Sequence, residues 1–508
     1  MKHRSFAILA VGIVALAPAR SKAEAPAPRP IPIGQAQLFI DDDLIESQDG
    51  LRRTLHQPKK DDGGNVPVLA LESEFGDVPA TLEANGSIVY DPRLKKWVMF
   101  AVAFAPSTAD RTRIYRFTSQ DALNWVKGDN GTPEHIKFDM LDAPSGTSAT
   151  NTDVFSCCYD AADAEHPYKG WLWFANWGEL EGLYYVKSAD GRTWSRGPCV
   201  ARIRTWDFRH DSRTLVGPGD VNVLYYDAPS KRFLASIKFN GSEPVGPSNN
   251  YLRSRTYAFV DSLSEPIDRS AIDHVELVPA GAEANGDLPH DEYYGSTAWR
   301  YESLWLGGLK VWHGGGDYPH SADGCAFLKL AVSRNGLDWA KVPFANDAGI
   351  PEVFLPNGPE GGNGGRNDGG YITEFSQGPL RIGEELIFYY GSSSYGKNEP
   401  TGLRVSGGGI FRARLRPHGF VSVDAGSLTT VGLAYEGKKL GVNAVGPVLI
   451  ELLNQSDDVV AKSSISGDSL RHAVKFDGKE LREAATNGLV RLRFTVGQNG
   501  QLYSFTID

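Results

Sequence analysis

Acids recur at corresponding places along this chain. Glu83, Asp153, Asp220, Glu292 and Asp368 each stand at or upstream of a separate apolar stretch, and Glu83 and Asp220 are followed two positions later by amides, Asn85 and Asn222. One acid ahead of a strand is an ordinary solvated turn residue. Five at equivalent places matter if the fold makes them converge. Carboxylates crowded into a partly dehydrated site repel one another, so one keeps its proton while another is ionised. Such a set suits acid/base cleavage of a glycosidic bond: one group protonates the leaving oxygen, another acts as nucleophile or water-activating base, and a third holds their proton affinities apart. The same ring has the right chemistry for a structural calcium ion, though no cofactor is required by it.

The elements that must position these acids repeat. In DVNVLYYDAPSKRFLASIK, residues 220–238, a short apolar strand runs into a Tyr-Asp-x-Pro turn and returns as a second strand. Related strand-turn-strand-strand units begin near residues 87, 153, 291 and 377, and several close on a polar turn and a ring, as at Trp125, Trp194, Trp339 and Phe420. Ser119, Ser188, Ser262 and Ser333 mark intervals of roughly 70 residues, the size of a generous four-stranded blade. The apolar period is two throughout and no long helix is expected. The reading is an all-β chain, a five-bladed β-propeller over residues 35–425, whose innermost strands line a funnel. From residue 426, alternating stretches between Gly, Asn and Asp turns indicate a small C-terminal β-sandwich over residues 426–508.

Residues 1–23 read as a secretory signal: Lys2, His3 and Arg4, then an apolar run over residues 6–17, then Ser21-Lys22-Ala23. The run is too short for a typical membrane span, and residues 24–34 form a Pro/Ala-rich linker. A secreted or periplasmic protein is expected, with no membrane span. The net charge of −10 argues against a nucleic-acid partner, which favours a basic face. Four cysteines without zinc-type spacing cannot form a disulfide scaffold.

The turns SADGRTW and SRNGLDW, the acids at the heads of inner strands, and the stretches LFIDDDLIE and GFVSVDAGSLTT together resemble the secreted five-bladed propeller glycosidases of glycoside hydrolase families 32 and 43, and related exported bacterial propeller proteins. The resemblance implies a carbohydrate substrate and three acids with divided roles. Carried over, Glu83 is the first-blade acid, Asp153 or Asp220 the transition-state stabiliser, and Glu292 the general acid, with Asp368 a further candidate. The chain carries no Asn-Asp-Pro-Asn-Gly near the first blade and no Arg-Asp-Pro in the second.

Two loops complete the candidates. FRHDSR offers Arg209 and His210, and the glycine-rich GGNGGRND offers Arg366, which with Asn85 and Asn222 are the expected substrate-binding residues. If the arginines face the funnel, an acidic or sulfated sugar is implied. Against a hydrolase stand a non-catalytic carbohydrate-binding propeller and a polysaccharide lyase, for which His210 at the funnel would supply the base.

Overall fold

The computed structural model describes residues 27–508, apart from 72–79, 105–111, 140–151, 176–177, 211–212, 243–250, 273–276, 280–286, 315–323, 347–351, 377, 455 and 486–488, and apart from the side chains of 137–139, 153, 179 and 271. The signal, the start of the linker (24–26) and the side chain of Asp153 therefore lie outside the described residues.

Five separate antiparallel sheets succeed one another along the chain as the blades of a propeller. In blade one, Lys96–Phe104 pairs on its inner side with Thr81–Glu83 and Ile88–Asp91, and on its outer side with Thr112–Ser119. Blades two, three and four are built around Tyr168–Phe174, Arg232–Gly241 and Leu304–His313. In blade five, Glu385–Ser392 takes Ile372–Phe375 and Leu380–Ile382 on one side and Gly409–Leu415 on the other. The ring closes because Lys59–Lys60, from the other end of the chain, pairs with Gly409–Leu415.

The recurring turn has a common chemistry. Ser188 Oγ accepts from Gly191 N while Asp190 Oδ1 accepts from Arg192 N and Thr193 N. Ser333 and Asn335 repeat this with Gly336, Leu337 and Asp338. The short side chains replace the backbone pairing lost at the reversal. Gly191 and Gly336 have φ of +74° and +81°, and in blade one Ala122 takes the same left-handed conformation at +59°. The following tryptophans seal the layers between blades: Trp194 lies edge-on to Phe100 of blade one at 5.6 Å and Trp339 stacks on Tyr257 of blade three at 4.5 Å. Such pairs contribute about 0.5–1.5 kcal/mol each beyond their buried area. The four cysteines are free, with Cys157 and Cys158 buried on successive, opposite faces of one strand.

The C-terminal strands do not stand alone. Ile45–Leu55 pairs along Val421–Thr430, Gln37–Leu38 pairs with Gln501–Ile507, and Arg29–Ile31 runs parallel to Leu433–Tyr435, in one eleven-stranded network. The sequence assigns residues 35–55 to the propeller and 24–34 to a linker; in the structure residues 29–55 pair with the C-terminal strands and share their core through Ile31, Phe39 and Leu44. The alternation that marks those strands says nothing about which partner they meet. The acids of the LFIDDDLIE stretch each meet an arginine: Asp41 pairs with Arg334, Asp42 with Arg53 and Asp43 with Arg29.

Candidate functional site

The inner strands of blades one and five are both interrupted. In blade one the break follows Glu83, where Gly86 turns at φ +63° against Val223 and Leu224 of blade three, leaving no room for a Cβ. In blade five it follows Phe375, one residue beyond Glu374. In blade three Asp220 and Val221 precede the inner strand Val223–Asp227. These breaks leave a cavity of about 350 Å³, lined by Glu83, Phe104, Val154, Asp220, Val221, Tyr294, Lys310, Tyr371, Glu374, Lys397, Arg404 and Val405. Every blade contributes, which places the cavity at the propeller axis.

Among the described residues three carboxylates line it. Asp220 is about one-third exposed and is ion-paired with Lys238. Burial would raise its pKa, but Lys238, by charge and hydrogen bond, and the charges of Lys397 and Arg253 hold it well below the usual carboxylate range. Glu374 is buried, 3.5 Å from Lys310 Nζ. A Cβ on Gly295 would overlap Glu374 Oε1, so glycine at the bulge between Tyr293 and Gly295 is what admits this carboxylate. Glu83, opposite Val102 in register, is half-buried. Burial pushes the Tyr371 hydroxyl far above its ordinary pKa, and the charges of Tyr294, Glu83 and Glu374 add to the effect.

Cations are as prominent as acids. The Tyr294 ring has Lys238 at 4.1 Å, Lys397 at 4.5 Å, Arg253 at 4.7 Å and Lys310 at 5.0 Å from its centre. Lys397 Nζ also donates to Tyr294 Oη at 2.7 Å. Burial lowers the Lys397 amine to about 7, with Arg253, Lys310 and Arg404 repelling its proton and Asp220 favouring it. Beneath them Arg255 is buried, donating to Val221 O and Ser236 Oγ, and burial lowers it to about 10.

Of the residues singled out in the sequence, Glu83 and Asp220 meet in the cavity. Glu292 is buried behind it, engaged by Arg253 through both side chain and backbone N–H. It orients the guanidinium that faces Tyr294. Asp368 is elsewhere: its buried carboxylate accepts from Lys60 Nζ at 2.5 Å and Tyr390 Oη at 2.8 Å, tying the glycine-rich loop to the strand that closes blade five. Arg366, on the same loop, is exposed and is not among the lining residues. Arg209 and His210 lie on the hairpin formed by Trp206–His210 and Arg213–Gly217, which meets the far end of Arg232–Gly241 at Asn240 and Gly241, and neither lines the cavity. Asn222 donates to Gly219 O and accepts from Lys238 N, and so fixes the segment that presents Asp220 to Lys238. Asn85 is fully buried, and neither of its amide atoms has a hydrogen-bond partner among the described residues. Among the described residues no group of three or more His, Cys, Asp or Glu is placed to hold a metal ion. Nor is any helix there long and apolar enough to cross a membrane.

Glu374, Lys310, Lys397, Arg404 and Tyr294 were not among the sequence candidates. Glu374 carries the one signal that was available, an acid inside an otherwise apolar inner strand, as Glu83 is.

No protein-family model matches the chain, and no curated protein matches it in sequence. Solved structures do, and the expected likeness to propeller glycosidases is found among them. A structure from the GH130 family of mannoside phosphorylases, described as containing glycoside hydrolases that target β-1,2 mannosidic linkages in Candida mannan, is 12% identical, with 72% of this chain and 95% of that one covered at a TM-score of 0.44. A family 43 arabinoxylan arabinofuranohydrolase from Bacillus subtilis is 11% identical, with 84% and 96% covered at 0.38. A fructofuranosidase from Schwanniomyces occidentalis is 8% identical, with 87% and 98% covered at 0.36. This is a likeness in the course of the chain, and the chemistry has to be argued from the site.

Proposed function

We propose that this protein is an exported glycoside hydrolase that cleaves its substrate in the axial cavity. One observation carries the reading: Glu83, Asp220 and Glu374, from the first, third and fifth blades, line a single cavity. Asp220, held ionised by Lys238, suits the nucleophile, the water-activating base or the stabiliser of an oxocarbenium-like transition state. The proton donor is then Glu83 or Glu374. Glu292 acts in this reading as a positioning residue for Arg253. Export rests on the basic and apolar N-terminal segment of the sequence.

The test is turnover of a panel of plant and algal glycans by the wild type and by Glu83→Gln, Asp220→Asn and Glu374→Gln. Loss of at least about 100-fold in kcat is expected in each, since a positioned acid or base contributes about 10²–10⁴-fold. Added formate should restore part of the activity to whichever variant has lost a nucleophile or base. Full activity in all three variants would remove the proposal.

Lys397 favours a second reading, β-elimination from a uronate-containing chain. An amine titrating near 7 beside a tyrosine hydroxyl is suited to accept the C5 proton, after which the C4–O bond breaks and a C4=C5 double bond forms. An ultraviolet-absorbing unsaturated product would select elimination, and a saturated one hydrolysis.

A further inference from the structure

The axial site is more positive than a neutral sugar requires. Asp220, Glu292 and Glu374 each face a cation of their own, Lys238, Arg253 and Lys310. Among the described residues that leaves Arg255, buried beneath the cavity, and Lys397 and Arg404 in its lining against Glu83, a surplus of two positive charges when Lys397 is protonated. The chain as a whole has a net charge of −10, so this concentration runs against the average of the molecule. It also differs from the other buried charge cluster of blade four, where Lys329 and Lys341 are matched by Asp287 and Glu352. Buried cations without matching acids are costly and disfavour their own ionisation. The low proton affinity of Lys397 is one expression of that cost. An arriving anion would relieve it.

The position of the surplus is informative. Arg404 is exposed and lines the cavity, and Lys397 and Lys310 line it as well. A small inorganic anion could meet these cations, but it would leave Glu83, Asp220 and Glu374 facing like charge. A sugar with one acidic substituent satisfies both halves of the lining: hydroxyls donate to the carboxylates, and the anionic group takes the cations. A guanidinium forks onto a carboxylate or sulfate, while a lysine adds a point charge.

We propose that the axial cavity binds an anionic sugar residue, its carboxylate or sulfate ester held by Arg404 and Lys397. This rests on the carbohydrate-cleaving reading above and names its substrate class. The sequence directed the same expectation to Arg209 and Arg366, which lie outside the cavity lining; other cations carry it here.

The test is calorimetric binding to the intact protein at pH 6 of D-galacturonate, D-glucuronate and galactose 6-sulfate, against galactose, glucose and sodium sulfate. At least one acidic sugar should bind about tenfold or more tightly than its neutral parent, equivalent to about 1.4 kcal/mol. Arg404→Ala, at an exposed position, should reduce that preference to about threefold or less. The uronates and the sulfated sugar separate the two sources of the anion. Equal or tighter binding of the neutral parents, sodium sulfate binding as tightly as the sugar acids, or no binding of any acidic sugar would each overturn the inference. Failure of the functional reading looks different: acidic sugars would bind with the stated preference while no glycan is cleaved. Cleavage of a neutral glycan without acid preference would sink only the inference.

Discussion

Replacing Asp220 by Asn removes the negative partner of a lysine that is almost wholly enclosed. The Lys238 side chain is 3% exposed and that of Asp220 32%. Breaking a buried ion pair by deleting one partner costs about 3–5 kcal/mol, because a charge is left uncompensated. Two features reduce this here. Asp220 is already about one-third exposed, and Lys238 keeps its position 4.1 Å above the Tyr294 ring, a contact contributing about 0.5–2 kcal/mol. The expected loss is therefore about 2–3 kcal/mol. With an unfolding entropy of roughly 0.7 kcal/mol/K for a cooperative unit the size of the propeller, that lowers Tm by about 3–4 °C. Thermal scans and urea titrations of Asp220→Asn, Lys238→Met and the double variant would measure it. The double variant should regain most of the loss, since removing both charges also removes the cost of leaving one. Activity should vanish in Asp220→Asn and in the double variant alike. Unchanged Tm in Asp220→Asn, or strictly additive losses in the double variant, would refute the claim that these residues form one buried unit.

Further outcomes follow from the same geometry. Asp368→Asn should cost about 3–5 kcal/mol of stability by stranding Lys60, yet leave kcat per folded molecule unchanged, which active-site titration of the surviving fraction would check. Gly295→Ala should lower kcat about 10-fold or more while the protein still folds, because its Cβ displaces the Glu374 carboxyl and small misplacements of reacting groups are costly. Affinity for an acidic sugar should fall as pH rises through about 7, where Lys397 loses its proton. That amine is faced by Arg253, Lys310, Arg404, Asp220 and the Tyr294 hydroxyl, so Lys397→Met should flatten the profile.

The blades were legible because they are local. Period-two alternation, the Ser-x-Asp/Asn-Gly turn and the tryptophan after it are all written within a dozen residues, and their spacing gives the count. Glu83 and Asp220 were found by the same logic, as acids at equivalent points of a repeat. Asp368 shows its limit. It stands upstream of the fifth inner strand as expected, but the glycine-rich loop carries it to Lys60 at the other end of the chain, a contact no local pattern encodes. Glu374, six residues later, is inside the strand, and alternation turns it to the axis.

The cavity's cations were missed because basic residues were sought in the two loops and acids at the heads of the strands. Lys238 in FLASIKF and Lys310 in LGGLKVW interrupt apolar strands in successive blades, and a lysine in such a strand needs a buried partner. Lys329 in FLKLAV has the same appearance but belongs to the balanced cluster with Asp287 and Glu352, so the pattern marks buried charge without separating site from scaffold. Lys397 and Arg404 lie in the segment between Glu385–Ser392 and Gly409–Leu415, where no period constrains the side chains. Residues 29–55 follow the same rule: their strands could be read, but their pairing with the C-terminal strands could not.

The central claim is that the three carboxylates of the axial cavity cleave a glycan. It is tested most directly by incubating the purified wild type and Glu374→Gln with a panel of neutral, uronate-containing and sulfated polysaccharides and following product release. The expected result is new chain ends from an acidic member of the panel with the wild type, and at least about 100-fold slower release with the variant. Undiminished release by Glu374→Gln, or no product from any member with the wild type, would contradict it.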